Sequence, residues 1–263
     1  MNCMKKIWSL LFVVLALKSV AQTKSNLVYD NNAQKRSVSA FKGVKVSSAI
    51  DLYLTQSDVN EVAVSASSNE IRDRIITEVE EGVLVIRFEN SGWRSWSWGD
   101  HKMKAYVSIK NIESLQASGA SNVKIIGSLT SDKLKIKISG ASDLKNASIK
   151  AEHLVIGASG ASDFKAEVNA KTISVDASGA STVSLNGNVD DAVINSNGAS
   201  NVKAYDLSIK AASLIASGAS DIHCTVTKIV NVDASGASSI NYKGEASMRN
   251  YHSSGASNVH HRD

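Results

Sequence analysis

The sequence contains no proline, and only 5% of its residues are aromatic. Proline has no amide hydrogen to donate to a β-ladder, so its absence suits a chain whose strands are paired on both sides. With so few aromatic side chains, the core must come from aliphatic residues. Burying each of these stabilises the fold by roughly 1.5–3 kcal/mol.

Cysteine is almost absent. Cys3 lies in a leader that we expect to be removed, and Cys224 is the only other cysteine. The mature chain therefore cannot form an intrachain disulfide, even in an oxidising compartment. Cys224 lies in a repeat where residues at comparable positions are small or apolar, which favours a core position over a reactive thiol.

Long apolar runs are absent beyond the N-terminus. Residues 1–21 have the pattern of a secretory signal peptide, with Lys5 and Lys6 before the apolar residues 7–17 and a predicted cleavage after Ala21. No later stretch approaches the roughly 20 apolar residues that a membrane span needs. We therefore expect an exported protein without a transmembrane segment, in the periplasm, at the outer membrane or outside the cell.

A strong charge of either sign is absent as well. The whole sequence carries a formal charge of +4; without the three lysines of the leader, 26 basic residues face 25 acidic ones, for a net charge of +1. Such a balance lacks the electrostatic signature of a nucleic-acid-binding protein. We expect no nucleic-acid partner.

The dominant feature that is present is a repeat. The phrase Ser-Gly-Ala-Ser, once Asn-Gly-Ala-Ser, occurs eight times at intervals of 18–21 residues. A period of this length is typical of a solenoid. The repeated glycines are Gly119, Gly140, Gly160, Gly179, Gly198, Gly218, Gly236 and Gly255.

The positions around each glycine indicate strands. The residue four after the glycine is apolar in all eight copies, from Val123 to Val259, and so is the residue four before it, from Leu115 to Tyr251. Residues 134–138 alternate apolar and polar side chains, as a strand buried on one face does. Glycine tolerates a positive φ, so the repeated phrase predicts a bend between two strands.

These patterns predict an all-β fold, a parallel β-helix with about 20 residues per coil. The regular coils cover residues 113–263. Residues 22–112 are less regular but contain several short strand candidates and one helix candidate at residues 70–76. We interpret them as an irregular N-terminal part of the same solenoid.

The repeated Ser-Gly-Ala-Ser-Asp/Asn-apolar phrase, the preceding residues 41–54 and the segment Gly82-Val83-Leu84-Val85-Ile86 together resemble the auto-transporter adhesin head GIN domain family of Bacteroidetes-type secreted proteins. The resemblance covers residues 37–259. It implies a right-handed β-helix similar to pectin lyases, and an adhesive role. The last repeat ends four residues before the C-terminus, so we expect no translocator barrel or stalk after it, and a periplasmic or outer-membrane-associated module is equally compatible.

Few residues suggest chemistry. Asp143 and Asp163 stand at equivalent positions in consecutive copies, where a parallel register would bring them about 4.8 Å apart. Either they bind a cation together, or each bonds its local backbone, as aspartate in a turn commonly does. The histidines lack metal-ligand spacing and the serines lack a His-Asp companion, so we predict no metal, no cofactor and no catalytic residue.

One segment stands apart from the repeats. Trp93, Arg94, Trp96 and Trp98 lie within six residues and include every tryptophan outside the leader. Flanking glycines predict a loop or hairpin tip. Exposed rings would offer flat apolar surfaces to a sugar, a protein or a lipid interface, whereas packed rings would cover one flank of the solenoid. We take these four residues as the candidate ligand-binding site.

Three functions fit the sequence. The leading hypothesis is a secreted, non-catalytic binding or adhesion module that recognises cell-surface glycans or proteins. The alternative is a carbohydrate-active β-helix enzyme, a polysaccharide lyase or hydrolase, with acids such as Asp163, Glu167 and Asp176 gathered in a groove. A further alternative is a cell-envelope scaffold that associates with copies of itself.

Overall fold

The computed structural model describes residues 29–89 and 102–262. These residues form one sheet system of 18 strands and a short helix. The strands are β1 (Gln34–Arg36), β2 (Gly43–Val46), β3 (Asp51–Gln56), β4 (Glu61–Ser65), β5 (Ile75–Glu80), β6 (Val83–Phe88), β7 (Lys104–Ile109), β8 (Ser114–Ala117), β9 (Val123–Ile126), β10 (Ser128–Ile138), β11 (Asp143–Ala158), β12 (Asp163–Ala177), β13 (Thr182–Ser196), β14 (Asn201–Ala216), β15 (Asp221–Ala234), β16 (Ser239–Lys243), β17 (Ser247–Ser253) and β18 (Asn258–Arg262); the helix α1 is Asn69–Asp73.

The regular part is a stack of parallel coils. Strands β11 to β15 are 14–16 residues long, and each pairs in parallel with the next. Together the coils form a β-solenoid of about eight turns with about 19 residues per turn, and the N-terminal strands are irregular. The predicted all-β, parallel solenoid is therefore confirmed.

The glycine corners separate two outer faces of the solenoid. The approach face consists of the strand segments that lead into the corners: β6, β2, β8, the C-terminal halves of β10 to β15, and β17. The exit face consists of the segments that leave the corners: β7, β3, β9, the N-terminal halves of β11 to β15, and then β16 and β18. Within each face, side chains alternate between the core and solvent.

The repeated phrase forms a tight corner. All eight of its glycines have a φ between 64° and 75°. At Gly160 an added Cβ would lie 2.6 Å from the carbonyl oxygen of Gly140 in the preceding coil. The backbone therefore approaches too closely for a side chain, and the amide of Ala161 donates to that same carbonyl at 2.8 Å.

The second serine of each phrase ties neighbouring coils together. These serines are buried from the first glycine corner through the seventh, and Ser200 is a clear example. Its Oγ lies 3.1 Å from the carbonyl of Ala177, one coil earlier, and 2.8 Å from the carbonyl of Asn197. The hydroxyl therefore contacts both its local backbone and the preceding coil.

We expect Ser200→Ala to lower the free energy of unfolding by about 1–2 kcal/mol, because the buried carbonyl of Ala177 and the buried hydroxyl of Ser196 lose a hydrogen-bond partner. Ser162 is the matched control, since it occupies the same position in another copy but its buried Oγ has no hydrogen-bond partner among the described residues. Ser162→Ala should be neutral. Urea unfolding followed by circular dichroism measures both, and equal losses would contradict the role assigned to the Ser200 hydroxyl.

The interior is filled by aliphatic columns. Four residues before the glycine, Ile136, Ile156 and Val175 are fully buried, and a single apolar cluster extends from Phe41 to Tyr242. Tyr251 occupies the same column in β17 but is 58% exposed. It was expected to face the core, yet β17 is the last strand of the approach face among the described residues, so no later coil covers the ring.

The N-terminal strands are stacked out of chain order. Strand β2 lies between β6 and β8, and β3 lies between β7 and β9, all in parallel. Strands β6 and β7 also have antiparallel partners: β5 pairs with β6, and β4 pairs with β7. Helix α1 starts at the N-cap Ser68, close to the predicted helix, and contributes Ile71 to the core.

Candidate functional site: a basic surface on the approach face

The approach face carries a row of three lysines on one strand. Lys133, Lys135 and Lys137 alternate with buried residues of β10, so all three side chains are exposed on the same side. We call them the lysine row. Successive members are about 6.6 Å apart along the strand.

A fourth lysine joins the row through the register of the sheet. Lys137 pairs with Gln116 on β8, and Gln116 pairs with Lys45 on β2. Lys45 is exposed and lies two strands, about 10 Å, from Lys137. Four ammonium groups therefore share one surface, although the net charge of the chain is small.

These four lysines are not neutralised within residues 29–89 and 102–262, where none of them forms an ion pair. The neighbouring Lys42 differs, because its Nζ donates a 2.8 Å hydrogen bond to Glu113. That bond raises the pKa of the Lys42 ammonium above its ordinary value. The lysine row and Lys45 thus present positive charge that is available to an external anion.

The next coil provides a low floor beside the row. Val155 and Gly157 of β11 pair with Lys135 and Lys137. Gly157 has no side chain, so a depression of about 500 Å³ opens between Lys137 and Asp176. A second depression of about 720 Å³ adjoins it and shares Lys135 and Val155. The surface is therefore a shallow trough rather than a closed pocket.

The edge of this trough contains a histidine. His153 pairs with Lys133, is exposed, and its Nδ1 lies 2.9 Å from the hydroxyl of Thr172. This contact fixes the orientation of the imidazole. The ring places a further polar group at the end of the lysine row.

The predicted ligand-binding residues Trp93, Arg94, Trp96 and Trp98 lie outside the described residues. The strands that flank them in sequence, β6 and β7, form the coil next to β2 and β3. The tryptophan segment therefore stays a sequence prediction.

The paired aspartates do lie side by side. Asp143 and Asp163 are in register on adjacent strands of the exit face. Lys145 lies between them, with its Nζ 2.7 Å from Asp143 Oδ2 and 3.9 Å from Asp163 Oδ2. The cation beside these carboxylates is thus a side chain of the protein itself.

The acids considered for catalysis do not converge. Asp163 lies on the exit face, whereas Asp176 lies on the approach face and accepts a 2.9 Å hydrogen bond from Asn195. Glu167 is in the middle of β12. Most glycoside hydrolases use two carboxyl groups that flank the scissile bond, and these three acids do not form such a pair.

The remaining candidates for chemistry are structural. Cys224 is fully buried, and its burial raises the pKa of the thiol to about 12. A thiol held so far from ionisation is a poor nucleophile. Within the part of the chain that the structure describes, no three His, Cys, Asp or Glu side chains are grouped as a metal site would need.

A family model described as "Putative auto-transporter adhesin, head GIN domain" matches residues 40–246. The chain belongs to this family. The match confirms the resemblance inferred from the repeated phrase. No curated protein matches the chain significantly.

Solved structures share the fold of this head GIN domain. A "putative lipid binding protein" from Parabacteroides distasonis is 22% identical, with a TM-score of 0.72 over 88% of this chain and 97% of that one. A "putative adhesin" from the same species is 21% identical, with a TM-score of 0.72 over 86% and 95% of the two chains. A "putative adhesin" from Bacteroides fragilis is 21% identical, with a TM-score of 0.65 over 88% and 96%.

Family membership indicates an adhesin-like module and favours binding over catalysis. It also favours a secreted or surface location. Among the residues described, no helix has the length and apolar character required to cross a bilayer.

Sequence reasoning missed the lysine row. Residues 134–138 served to identify a strand, but the outward side of that strand was not considered. Lysine at every second position from 133 to 137 was the available signal. The contribution of Lys45 had no such signal, because it depends on the pairing of β2 with β8.

Proposed function

We propose that this head GIN domain is an exported, non-catalytic binding module that attaches to glycans or proteins on a cell surface. The observation that carries the proposal is the approach face. It runs without interruption across ten described strands, β6, β2, β8, β10 to β15 and β17, or about 43 Å at the spacing of parallel strands.

The geometry of this face supports binding to an extended partner. Its backbone is fixed by hydrogen bonds to both neighbouring coils, so a ligand does not have to order it on binding. Outward side chains such as Gln116, Ser174 and Asn195 are polar, as contacts to sugar hydroxyls or to a polypeptide require. The acids proposed for catalysis lie on different faces, which weighs against the enzymatic alternative.

The tryptophan segment supplies a second contact in this proposal. We expect the W93A/W96A/W98A variant to bind cells at least about tenfold more weakly than the unmodified protein, because truncation of an anchoring tryptophan commonly costs about 2 kcal/mol. Binding is measured by flow cytometry with labelled protein on intact cells. Tyr251→Ala is the control, since it removes an exposed aromatic ring from β17, outside the tryptophan segment.

Two further measurements bear on the proposal. Protease shaving of intact cells should remove the protein from the surface, as adhesion requires. Incubation with acidic and neutral polysaccharides should release no unsaturated or reducing ends. Such release, or full protection from the protease, would overturn the adhesive function, whereas unchanged binding by the tryptophan variant would overturn only the contact assigned to that segment.

A further inference from the structure

We infer that the lysine row and Lys45 form a binding site for an acidic polysaccharide, a sugar chain that bears carboxylate or sulfate groups. The inference rests on the proposed function and names the ligand class of the approach face.

The charge arrangement supplies the first argument. Like charges on neighbouring positions of a sheet repel one another, and the lysine row places three ammonium groups on one side of a single strand. Some lysines elsewhere are paired within the chain, as Lys145 with Asp143 and Lys104 with Asp30 show. The lysine row has no such compensation among the described residues. A ligand with several anionic groups along its length removes this repulsion when it binds.

The shape of the surface supplies the second argument. The trough beside the row has Val155 and the bare backbone of Gly157 as its floor. A flat floor with a small apolar element fits the C–H face of a pyranose ring. Gln116 lies between Lys45 and Lys137 and offers an amide to a sugar hydroxyl. The two depressions share Lys135 and Val155, so they form one continuous trough.

The surface is also bounded. In the coils that follow β10, Asp176 occupies the position aligned with Lys137, and Asp191 occupies the position aligned with Lys133. Both aspartates lie on the approach face. An acidic polymer is therefore attracted to the N-terminal part of the approach face and repelled further along. This polarity restricts the site to the region of β2, β8, β10 and β11.

An anionic lipid surface fits the same charges less well. Peripheral membrane binding combines basic residues with apolar side chains that enter the bilayer. The exposed large apolar residues of this face lie on β13, β14 and β17 rather than beside the lysine row; they are Val193, Ile215, Met248 and Tyr251. The lysine row thus has positive charge without a membrane anchor.

The test compares two charge-matched variants of the mature chain. K133Q/K135Q/K137Q removes the lysine row, and K150Q/K165Q/K203Q removes three exposed lysines from other surfaces. The probes are polygalacturonate, which carries carboxylates, dextran sulfate, which carries sulfates, and neutral dextran. Affinity is measured by isothermal titration calorimetry at low ionic strength, and circular dichroism verifies that each variant is folded.

We expect the unmodified protein to bind one or both anionic polymers and not dextran. The lysine-row variant should lose at least about tenfold in affinity and the control variant less than about threefold, because three charge contacts are removed in one case and none in the other. Added salt should weaken binding by the unmodified protein most.

Three results would overturn the inference: no binding to either anionic polymer, equal losses in the two variants, or binding to phosphatidylglycerol vesicles as tight as to the polymers. The cell-binding assay separates this failure from that of the proposed function. If cells still bind the protein while the anionic polymers do not, the inference falls and the adhesive function stands.

Discussion

Replacing Gly187 by alanine is expected to destabilise the protein by more than about 3 kcal/mol, through left-handed strain and a backbone collision. Gly187 has a φ of 115°, and an added Cβ would lie 2.1 Å from the carbonyl oxygen of Val168 in the preceding coil. The carbonyl carbon and the amide nitrogen of Val168 are within 3.1 Å as well. Because these contacts are backbone, no rotamer change relieves them.

Gly82 is a matched control for Gly187. It also has a positive φ, 77°, but an added Cβ would meet nothing within 4 Å. Gly82→Ala should therefore cost only the conformational strain, about 1–2 kcal/mol. Thermal unfolding followed by circular dichroism compares the two, with a loss of about 10 °C expected for Gly187→Ala. Equal shifts would show that coil-to-coil contact at Gly187 is unimportant.

The second large effect is expected at Phe164. Among the residues that the structure describes, this ring is the largest fully buried side chain, and it lies between Leu144 and Val183 in one core column. Phe164→Ala should lower the free energy of unfolding by about 3–5 kcal/mol, since it leaves a cavity bounded by two rigid neighbouring coils. Urea unfolding monitored by circular dichroism gives the value.

A position at the end of the same column provides the control. Val259 is only partly buried, because its coil is the last of the described residues. Val259→Ala should cost less than about 1 kcal/mol, since it opens no enclosed cavity. Equal losses of stability for the two substitutions would contradict the view that burial in this column increases away from its end.

The most regular features of this fold are local, and the sequence predicted them. The interval between the repeated glycines sets the coil length, and the alternation in residues 134–138 sets which side chains face inward. A further corner, at Ser48 and Ala49, has positive φ values without a glycine. This corner lies directly against Gly119, with the Ala49 amide 2.9 Å from the Gly119 carbonyl.

The candidate site was less accessible from sequence. The tryptophan segment drew attention because its composition is unusual, whereas the lysine row looks like an ordinary solvated strand face. Its significance depends on Lys45, which lies far away in sequence, and on the lack of an ion-pair partner for these lysines among the described residues. Neither fact can be obtained without the register of three strands.

The sequence by itself determined that this protein is a stack of short, bent strands, because the periods of the apolar side chains and of the glycines are properties of consecutive residues. Only the tertiary structure decided that β2 and β3 lie between β6–β7 and β8–β9, that Tyr251 is exposed, and that Lys45 joins the lysine row. The physical reason is that the fit between distant segments decides which strands pair. The alternation of apolar and polar residues shows which side of a strand is buried, but it does not show which strand lies next to it.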